Sequence, residues 1–269
     1  MIEKFPQLKE LQQRLLSGRQ MFDVEITTFC NKCCYVCPRE KLTRVGHEMT
    51  QEVFDSLCRW LPDDCDVFFA GLGEPLLHKQ CTKYVHQLHL SGRKTSIMTN
   101  GQLLSAAKVR ELFAAGLDKL QISIIQKTDL ASIKHFAALI ADEYKGKVVF
   151  NIIKESESEE PQKELELLQE KGFGFCIKKV HNRAGHLYPE ENIGDLQTCA
   201  TFFCDTFISA MGEIFVCSND INGRHSIGDI RNISFHDLLE YKKKFMGNQQ
   251  ICFICSQCTD EYRMKHFIS

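Results

Sequence analysis

The chain lacks the features of membrane, exported and nucleic-acid-binding proteins. No apolar run in its 269 residues approaches the roughly 20 residues that a membrane helix needs. Residues 1–10 are polar and show no apolar signal-peptide core. The 33 Lys and Arg residues are balanced by 35 Asp and Glu residues, so the basic excess of a nucleic-acid binder is also missing. We therefore expect a soluble, cytoplasmic protein that binds neither membranes nor nucleic acids.

Motifs of several common enzyme classes are missing as well. There is no His-Glu-x-x-His zinc pair and no Gly-x-x-x-x-Gly-Lys-Ser/Thr phosphate loop. The single Trp60 ends an amphipathic helical pattern and is expected in the core. What needs an explanation is the cysteine content, because the chain contains 14 of them.

The cysteines form two dense groups, at residues 30–37 and 252–258, and a looser trio of Cys199, Cys204 and Cys217. A disulfide framework is typical of small secreted domains, whereas this chain is large and 43% apolar, so it has material for its own core. We therefore predict reduced cysteines that bind metal or do redox chemistry. Four cysteines lie singly on apolar patterns and are interpreted as small buried hydrophobes: Cys58, Cys65, Cys81 and Cys176.

Short apolar runs alternate with helical patterns up to about residue 180. The predicted strands span residues 22–27, 66–70, 94–98, 119–124, 147–153 and 173–180, and the predicted helices span 51–60, 81–90, 106–115, 129–142 and 161–171. Repeated strand–helix units predict an α/β fold with a parallel sheet, either doubly wound or closed toward a barrel. After a boundary near 185–198, a hairpin at 206–210 and 213–217 and a helix at 234–245 are expected.

The first cysteine group contains a Cys-x3-Cys-x2-Cys motif directly after the first strand. Cys30, Cys34 and Cys37 would hold three corners of a four-iron cluster and leave the fourth iron open to a ligand. In an α/β barrel, this end of the strands is where active sites are built. A structural zinc site is the alternative and would need a fourth ligand nearby; Cys33 is too close in the same loop to be that ligand.

Three more motifs follow later strands. Gly-Leu-Gly-Glu-Pro at 71–75 offers exposed backbone and one carboxylate, which suits a ligand with an ammonium group. Thr-Asn-Gly occupies 99–101, and Ser123 lies in the fourth strand. The first two would otherwise be ordinary turns. Asn-Arg-Ala-Gly at 182–185 follows the sixth strand.

In this order, the motifs resemble the radical S-adenosylmethionine (SAM) superfamily. The resemblance implies a partial (β/α)6 barrel over residues 20–185, preceded by an N-terminal helical segment, 1–19. It also implies a SAM-binding [4Fe-4S] cluster on Cys30, Cys34 and Cys37. The expected SAM contacts are Tyr35, Gly71, Gly73, Glu74, Asn100 and Ser123. The chain departs from the common pattern after Ser123, where Ile-Gln replaces Asp-Gly, so no basic contact to the SAM carboxylate is assigned.

Residues 186–269 resemble the SPASM or twitch extension, a small β-hairpin and helix domain that carries an auxiliary cluster. The shorter twitch form holds one [4Fe-4S] cluster with four cysteines, which implies Cys199, Cys217, Cys255 and Cys258. Whether Cys204 or Cys252 replaces one of them stays open at this point. A zinc ribbon, which uses the same ligand type, is the alternative for the tail.

The resemblance implies reductive cleavage of SAM and abstraction of a hydrogen atom from an organic substrate. We expect a two-electron oxidation of a small metabolite or short peptide, with the auxiliary cluster as electron acceptor and a flavodoxin or ferredoxin as electron donor. An epimerase or other peptide maturase is the alternative and would need a cysteine hydrogen donor, for which Cys33, Cys176 and Cys204 are available. A molybdenum-cofactor cyclase is disfavoured because residues 259–269 contain no glycine. A non-catalytic, metal-stabilised binding module is the most remote alternative.

Overall fold

The computed structural model describes residues 20–125, 130–154, 162–189, 199, 201–202, 205–244 and 253–260. The predicted segment 1–19 lies outside this part of the chain. The strands are β1 Gln20–Val24, β2 Cys65–Phe69, β3 Lys94–Thr99, β4 Lys119–Ile125, β5 Val148–Lys154, β6 Gly174–Lys179, β7 Asp205–Ile208, β8 Glu213–Phe215 and β9 Ser226–Asp229. The α-helices are α1 Gln51–Trp60, α2 Cys81–Leu90, α3 Ala106–Ala114, α4 Leu130–Leu139, α5 Gln162–Glu170 and α6 Phe235–Lys244.

The first six strands are parallel and lie side by side in sequence order within a sheet of order β6-β5-β4-β3-β2-β1-β7-β8-β9. A doubly wound sheet reverses its strand order at a switch point, and these six strands show no reversal. Since right-handed crossovers that always step the same way leave their helices on one face, the arrangement is a partial barrel. The barrel prediction is confirmed and the doubly wound alternative is wrong.

The two faces of the barrel sheet differ in polarity. Leu120, Ile122 and Ile124 of β4 are buried on the helix side, while Gln121 and Ser123 alternate with them on the inner side. Trp60 packs on the helix side as expected, with its ring edge-on to Phe22 and its indole N–H donating to the carbonyl of Ile233 at 2.8 Å. The inner face is therefore the polar one and is available for a ligand.

The C-terminal hairpin continues the barrel sheet. β7 lies parallel to β1, from the pair Met21–Asp205 to the pair Val24–Ile208, and β8 and β9 follow as antiparallel neighbours. The expected hairpin and α6 are present with bounds within two residues of the prediction, whereas β9 was not predicted. None of the helices in the described ranges is long and apolar enough to cross a bilayer.

Candidate active site

The first cysteine loop begins shortly after β1. The backbone N–H of Cys37 donates to the carbonyl of Cys34 at 3.0 Å, and the N–H of Lys32 points to the Cys30 sulfur at 3.5 Å. These three cysteines are half-buried, whereas Cys33 is exposed and its thiol lies 3.5 Å from a Glu40 carboxylate oxygen. The loop thus sets Cys33 apart from the three cysteines of the predicted cluster motif.

Burial and mutual proximity disfavour thiolates in this loop. The pKa of Cys34 is raised by burial and by neighbouring Cys37, and the pKa of Cys37 is raised chiefly by burial. A bound cationic iron would relieve this repulsion, because metal coordination deprotonates a thiol. The donor set of three soft sulfur ligands in one loop therefore fits the expected iron–sulfur cluster.

The 71–75 loop is pinned to the chain just after β1. The N–H of Glu74 donates to the carbonyl of Phe29 at 2.8 Å, and the N–H of Leu72 donates to a Glu25 carboxylate oxygen at 2.9 Å. A Cβ atom at Gly73 would lie 1.9 Å from the carbonyl oxygen of Thr27. Only glycine allows this approach, so the loop lies directly against the segment that leads into the cysteine loop.

The Glu74 carboxylate is bound by the protein itself. It is 2% exposed and accepts hydrogen bonds from the N–H of Leu76 at 3.1 Å, the hydroxyl of Thr99 at 2.8 Å and the N–H of Asn100 at 2.7 Å. Burial raises the pKa of this carboxyl group, and the three donors lower it. These contacts show that Glu74 holds the loop against the end of β3. Its expected role of facing the ammonium group of a ligand stays a prediction.

The remaining predicted SAM contacts fall into two places. Asn100 lies at the cysteine loop, where its Nδ2 is 3.9 Å from the Cys30 sulfur and 2.8 Å from the Asn31 side-chain oxygen. Ser123 lies on the inner face of the sheet, and its hydroxyl is 2.8 Å from the Met98 sulfur. Tyr35 is 49% exposed. The structure therefore brings Asn100 and Glu74 to the cysteine loop, with Ser123 further inside the barrel.

The second cysteine group is assembled from distant parts of the chain. Four cysteines pack around a small apolar cluster of Ala184, Phe202, Val216 and Ile254; they are Cys199, Cys217, Cys255 and Cys258. Burial is the main cause that raises the pKa of Cys199 to about 12, with a contribution from Cys258, and burial likewise raises the pKa of Cys217. These are the four cysteines that the sequence analysis assigns to the auxiliary cluster. Cys204 and Cys252 lie outside the described residues.

No group of three or more His, Cys, Asp or Glu side chains in the described ranges is arranged to hold one metal ion. In a four-iron cluster, each cysteine binds a different iron, so the sulfurs stand farther apart than the ligands of a single ion. This finding therefore bears on a single zinc ion and leaves the fit of a multi-iron cluster unaffected.

The 182–185 motif makes contacts near the site that the sequence did not predict. The Asn182 side chain accepts from the N–H of Thr259 at 3.0 Å and donates to the carbonyl of Gln257, which ties the end of β6 to the second cysteine group. Arg183 has a left-handed backbone (φ 50°). Its positive charge acts to lower the pKa of both Cys37 and Asp23, against the effect of burial. The motif at 182–185 was visible in the sequence, but its contacts span more than 70 residues.

Comparison with known families identifies the barrel. The model of the radical SAM superfamily matches residues 24–129, which include the first cysteine loop, the 71–75 loop and Ser123. This part of the chain therefore matches the radical SAM superfamily.

Two curated proteins are similar to part of the chain. The chain is 35% identical over 103 residues to a probable GTP 3',8-cyclase of Methanothermobacter marburgensis, covering 37% of this chain and 33% of that protein. It is 28% identical over 104 residues to the tungsten-containing aldehyde ferredoxin oxidoreductase cofactor-modifying protein of Pyrococcus furiosus, covering 38% and 29%. The chain thus spans about a third of the length of these relatives.

Solved structures resemble the whole fold at low identity. BtrN in complex with AdoMet and 2-DOIA is 20% identical, with a TM-score of 0.71 over 92% of this chain and 96% of BtrN. Streptococcus suis SuiB bound to precursor peptide SuiA is 14% identical, with a TM-score of 0.66 over 94% and 72%. Tagged anSMEcpe with bound AdoMet is 16% identical, with a TM-score of 0.62 over 90% and 83%. The likeness extends past the barrel into the C-terminal region.

Proposed function

We propose that this radical SAM enzyme oxidises a small polar metabolite or a short peptide by two electrons and uses a second [4Fe-4S] cluster as electron acceptor. The observation that carries the proposal is the convergence of Cys199, Cys217, Cys255 and Cys258 around one apolar cluster. These four cysteines would be the ligands of the second cluster, and the cysteine loop after β1 would supply the ligands of the first.

The first site would be held by Cys30, Cys34 and Cys37, with SAM beside the 71–75 loop and Ser123. A cluster and SAM bound there would supply the radical chemistry that removes a hydrogen atom from an unactivated carbon. Around it, Glu74 and Gly73 fix the loop position, and Asn100 bridges that loop to the Cys30 sulfur. The chain itself thus binds and orients the reactants.

The second site suits electron transfer. Four thiol ligands leave no iron open to a substrate, so accepting an electron is the role that remains. BtrN, whose structure contains AdoMet and 2-DOIA, has a similar fold. The inner face of the barrel offers the half-buried Gln121 and Ser123 to a polar substrate, and the buried Asn151 donates to Gln121 at 2.9 Å. A flavodoxin or ferredoxin in the cytoplasm would supply the first electron.

Radical epimerisation is the second candidate, and one observation favours it. Cys176 of β6 is a Cα partner of Asn151, which in turn is a partner of Ser123, so the three residues form one row on the inner face. A thiol there is suitably placed to return a hydrogen atom to a substrate radical. Cys33 is exposed beside Glu40, and Cys204 lies outside the described residues.

Iron content and SAM cleavage test the proposal without a substrate. Anaerobically reconstituted protein should hold about eight irons, as expected for two four-iron clusters. Replacing Cys30, Cys34 and Cys37 with Ala should leave about four irons and abolish 5′-deoxyadenosine formation with dithionite and SAM. Cys58→Ala is the matched control and should change neither quantity. Reductive SAM cleavage by the triple variant would contradict the assignment.

Turnover in heavy water separates the two candidate reactions. An oxidation transfers a substrate hydrogen to 5′-deoxyadenosine, consumes one SAM per product and adds no solvent deuterium to the product carbon. An epimerisation returns a hydrogen from an exchangeable thiol, so solvent deuterium enters the product and Cys176→Ala abolishes its formation. Mass analysis of the product and of 5′-deoxyadenosine decides between them.

A further inference from the structure

Asn219 lies two residues after Cys217 and is 3% exposed. Its Nδ2 is 3.9 Å from the sulfur of Cys258 and 3.2 Å from a carboxylate oxygen of Asp260. Its Oδ1 is buried and accepts no hydrogen bond within the part of the chain that the structure describes. The Asn219 side chain therefore makes these contacts through its N–H donors.

The chemistry of the neighbours fixes the orientation of this amide. A carboxamide has two N–H donors on one side and a carbonyl oxygen on the other. Exchanging them would place the oxygen against the Asp260 carboxylate and the Cys258 sulfur, which are both electron-rich. With the observed orientation, one N–H serves Asp260 and the other is directed at the sulfur.

The first cysteine group has a comparable contact. The Nδ2 of Asn100 is 3.9 Å from the sulfur of Cys30 and 2.8 Å from the side-chain oxygen of Asn31. Each cysteine group thus has one side-chain amide directed at one of its sulfurs. Asn219 is the more buried of the two amides, and a hydrogen bond is electrostatically stronger where water is excluded.

The Asp260 carboxylate beside the amide has a second partner. His181 Nε2 lies 3.7 Å from the same Asp260 oxygen that accepts from Asn219. The N–H of Arg183 donates to His181 Nδ1 at 3.3 Å, which leaves the imidazole proton on Nε2, facing Asp260. Asn219 and His181 thus both face the Asp260 carboxylate.

We infer that Asn219 raises the reduction potential of the cluster held by the second cysteine group, by donating an N–H to the sulfur of Cys258. The inference rests on the proposed function, since it requires a cluster there. Reduction adds negative charge that is shared with the sulfur ligands, so an N–H directed at a sulfur stabilises the reduced state more than the oxidised state. The direction suits a cluster that accepts an electron from a substrate.

The test uses full-length protein in which Cys30, Cys34 and Cys37 are replaced with Ala, so that only the second cluster is present. Its midpoint potential is measured by a mediated redox titration followed by electron paramagnetic resonance. Asn219→Ala removes both donors and should lower the potential, and Asn219→Ser, which keeps one short donor, should lower it less. Asn222→Ala is the matched control from the same loop, because that side chain contacts Lys41 and Thr43 instead, and it should leave the potential unchanged.

The outcomes separate this inference from the proposed function. An unshifted potential in Asn219→Ala, at the iron content of the parent, overturns the role of Asn219 and leaves the second cluster standing. If Asn219→Ala loses iron, the midpoint potential of Asn219→Ser decides in its place. Loss of iron in both variants shows that Asn219 acts in cluster assembly, which contradicts its role in setting the potential. A parent protein without any second cluster overturns the proposed function and this inference with it.

Discussion

The carboxylate of Glu74 accepts a hydrogen bond from the backbone N–H of Asn100 at 2.7 Å, so one buried side chain joins the 71–75 loop to the end of β3. Asn100 in turn lies 3.9 Å from the Cys30 sulfur. The loop expected to face the methionine end of SAM and the loop that carries the first cysteines are therefore positioned by a continuous set of contacts. A change at Glu74 should reach the SAM site through geometry, without removing a cysteine ligand.

Glu74→Gln should weaken SAM binding about tenfold or more while the iron content stays that of the parent. The groups around the carboxylate are N–H and O–H donors. In the variant, an NH2 group replaces one carboxylate oxygen, so a donor that pointed at this oxygen loses its acceptor. A lost hydrogen bond to a buried charged group costs roughly 1.5–3 kcal/mol. Because this bond holds the loop in place, SAM binding must supply that free energy to restore the loop, which lowers the affinity at least about tenfold. Equilibrium dialysis of labelled SAM with reconstituted protein measures it.

The control for this variant is Glu170→Gln, an exposed change at the end of α5 that should leave SAM affinity unchanged. SAM affinity equal to that of the parent in Glu74→Gln would show that the contacts of this carboxylate do not position the loop.

Gly73→Ala should abolish SAM binding. The added methyl group would lie 1.9 Å from the carbonyl oxygen of Thr27, and because that neighbour is backbone, the loop itself must move. Gly146→Ala is the matched control, since its Cβ would meet nothing within 4 Å. Retained SAM binding in Gly73→Ala would place the ligand away from this loop.

The fold was largely predictable because the barrel strands and helices follow strong local patterns. Observed bounds of the first six strands and first five helices differ from the predicted ones by at most three residues. β9 was missed because it has only four residues, includes Gly228, and pairs with β8 across a register irregularity. Its formation depends on a neighbouring strand and leaves no periodic signal in the sequence.

The candidate site was predictable in its cysteines and not in its supporting contacts. Spacing alone indicated the first cluster motif, because its ligands lie within eight residues of each other. Two of the three donors to Glu74, Thr99 and Asn100, lie 25 and 26 residues away at the end of β3. Asn219 meets Cys258 across 39 residues. Such contacts arise from the packing of whole elements, which local sequence patterns do not encode.

Arg44→Met should destabilise the protein by about 3–5 kcal/mol, because it leaves the Glu25 carboxylate buried and unpaired. Arg44 forms an ion pair with Glu25, whose side chain is 1% exposed, and donates to the carbonyl of Ile221 at 2.6 Å. Its guanidinium also lies 5.3 Å from the ring centre of Phe215. A drop on the order of 10 °C in the thermal midpoint is expected for a chain of this size.

Two further variants make this prediction specific. Glu25→Gln with Arg44→Met should cost less than the sum of the single changes, because no unpaired charge remains. Arg231→Met is the control, since its ion pair with Asp229 is at the surface, where such pairs contribute at most about 1 kcal/mol. An additive double variant would show that the two side chains do not depend on each other.

Asp23→Asn should stabilise the protein increasingly as the pH rises from 5 to 8. Burial, with a further contribution from nearby Asp205, raises the pKa of Asp23 from 3.8 to about 7, although Lys178 and Arg183 act in the opposite direction. Between pH 3.8 and about 7, the folded protein holds a proton on Asp23 that the unfolded chain releases. The free energy of unfolding of the parent therefore falls as the pH rises to about 7, and it falls no further above that pH. Asparagine has no proton to lose, and the advantage of the variant should therefore grow by roughly 2.5 kcal/mol between pH 5 and pH 8. Thermal unfolding midpoints of variant and parent across that range measure the gap. A gap that stays constant with pH would mean that Asp23 ionises near its ordinary pKa and that the inner face of the barrel is well hydrated around it.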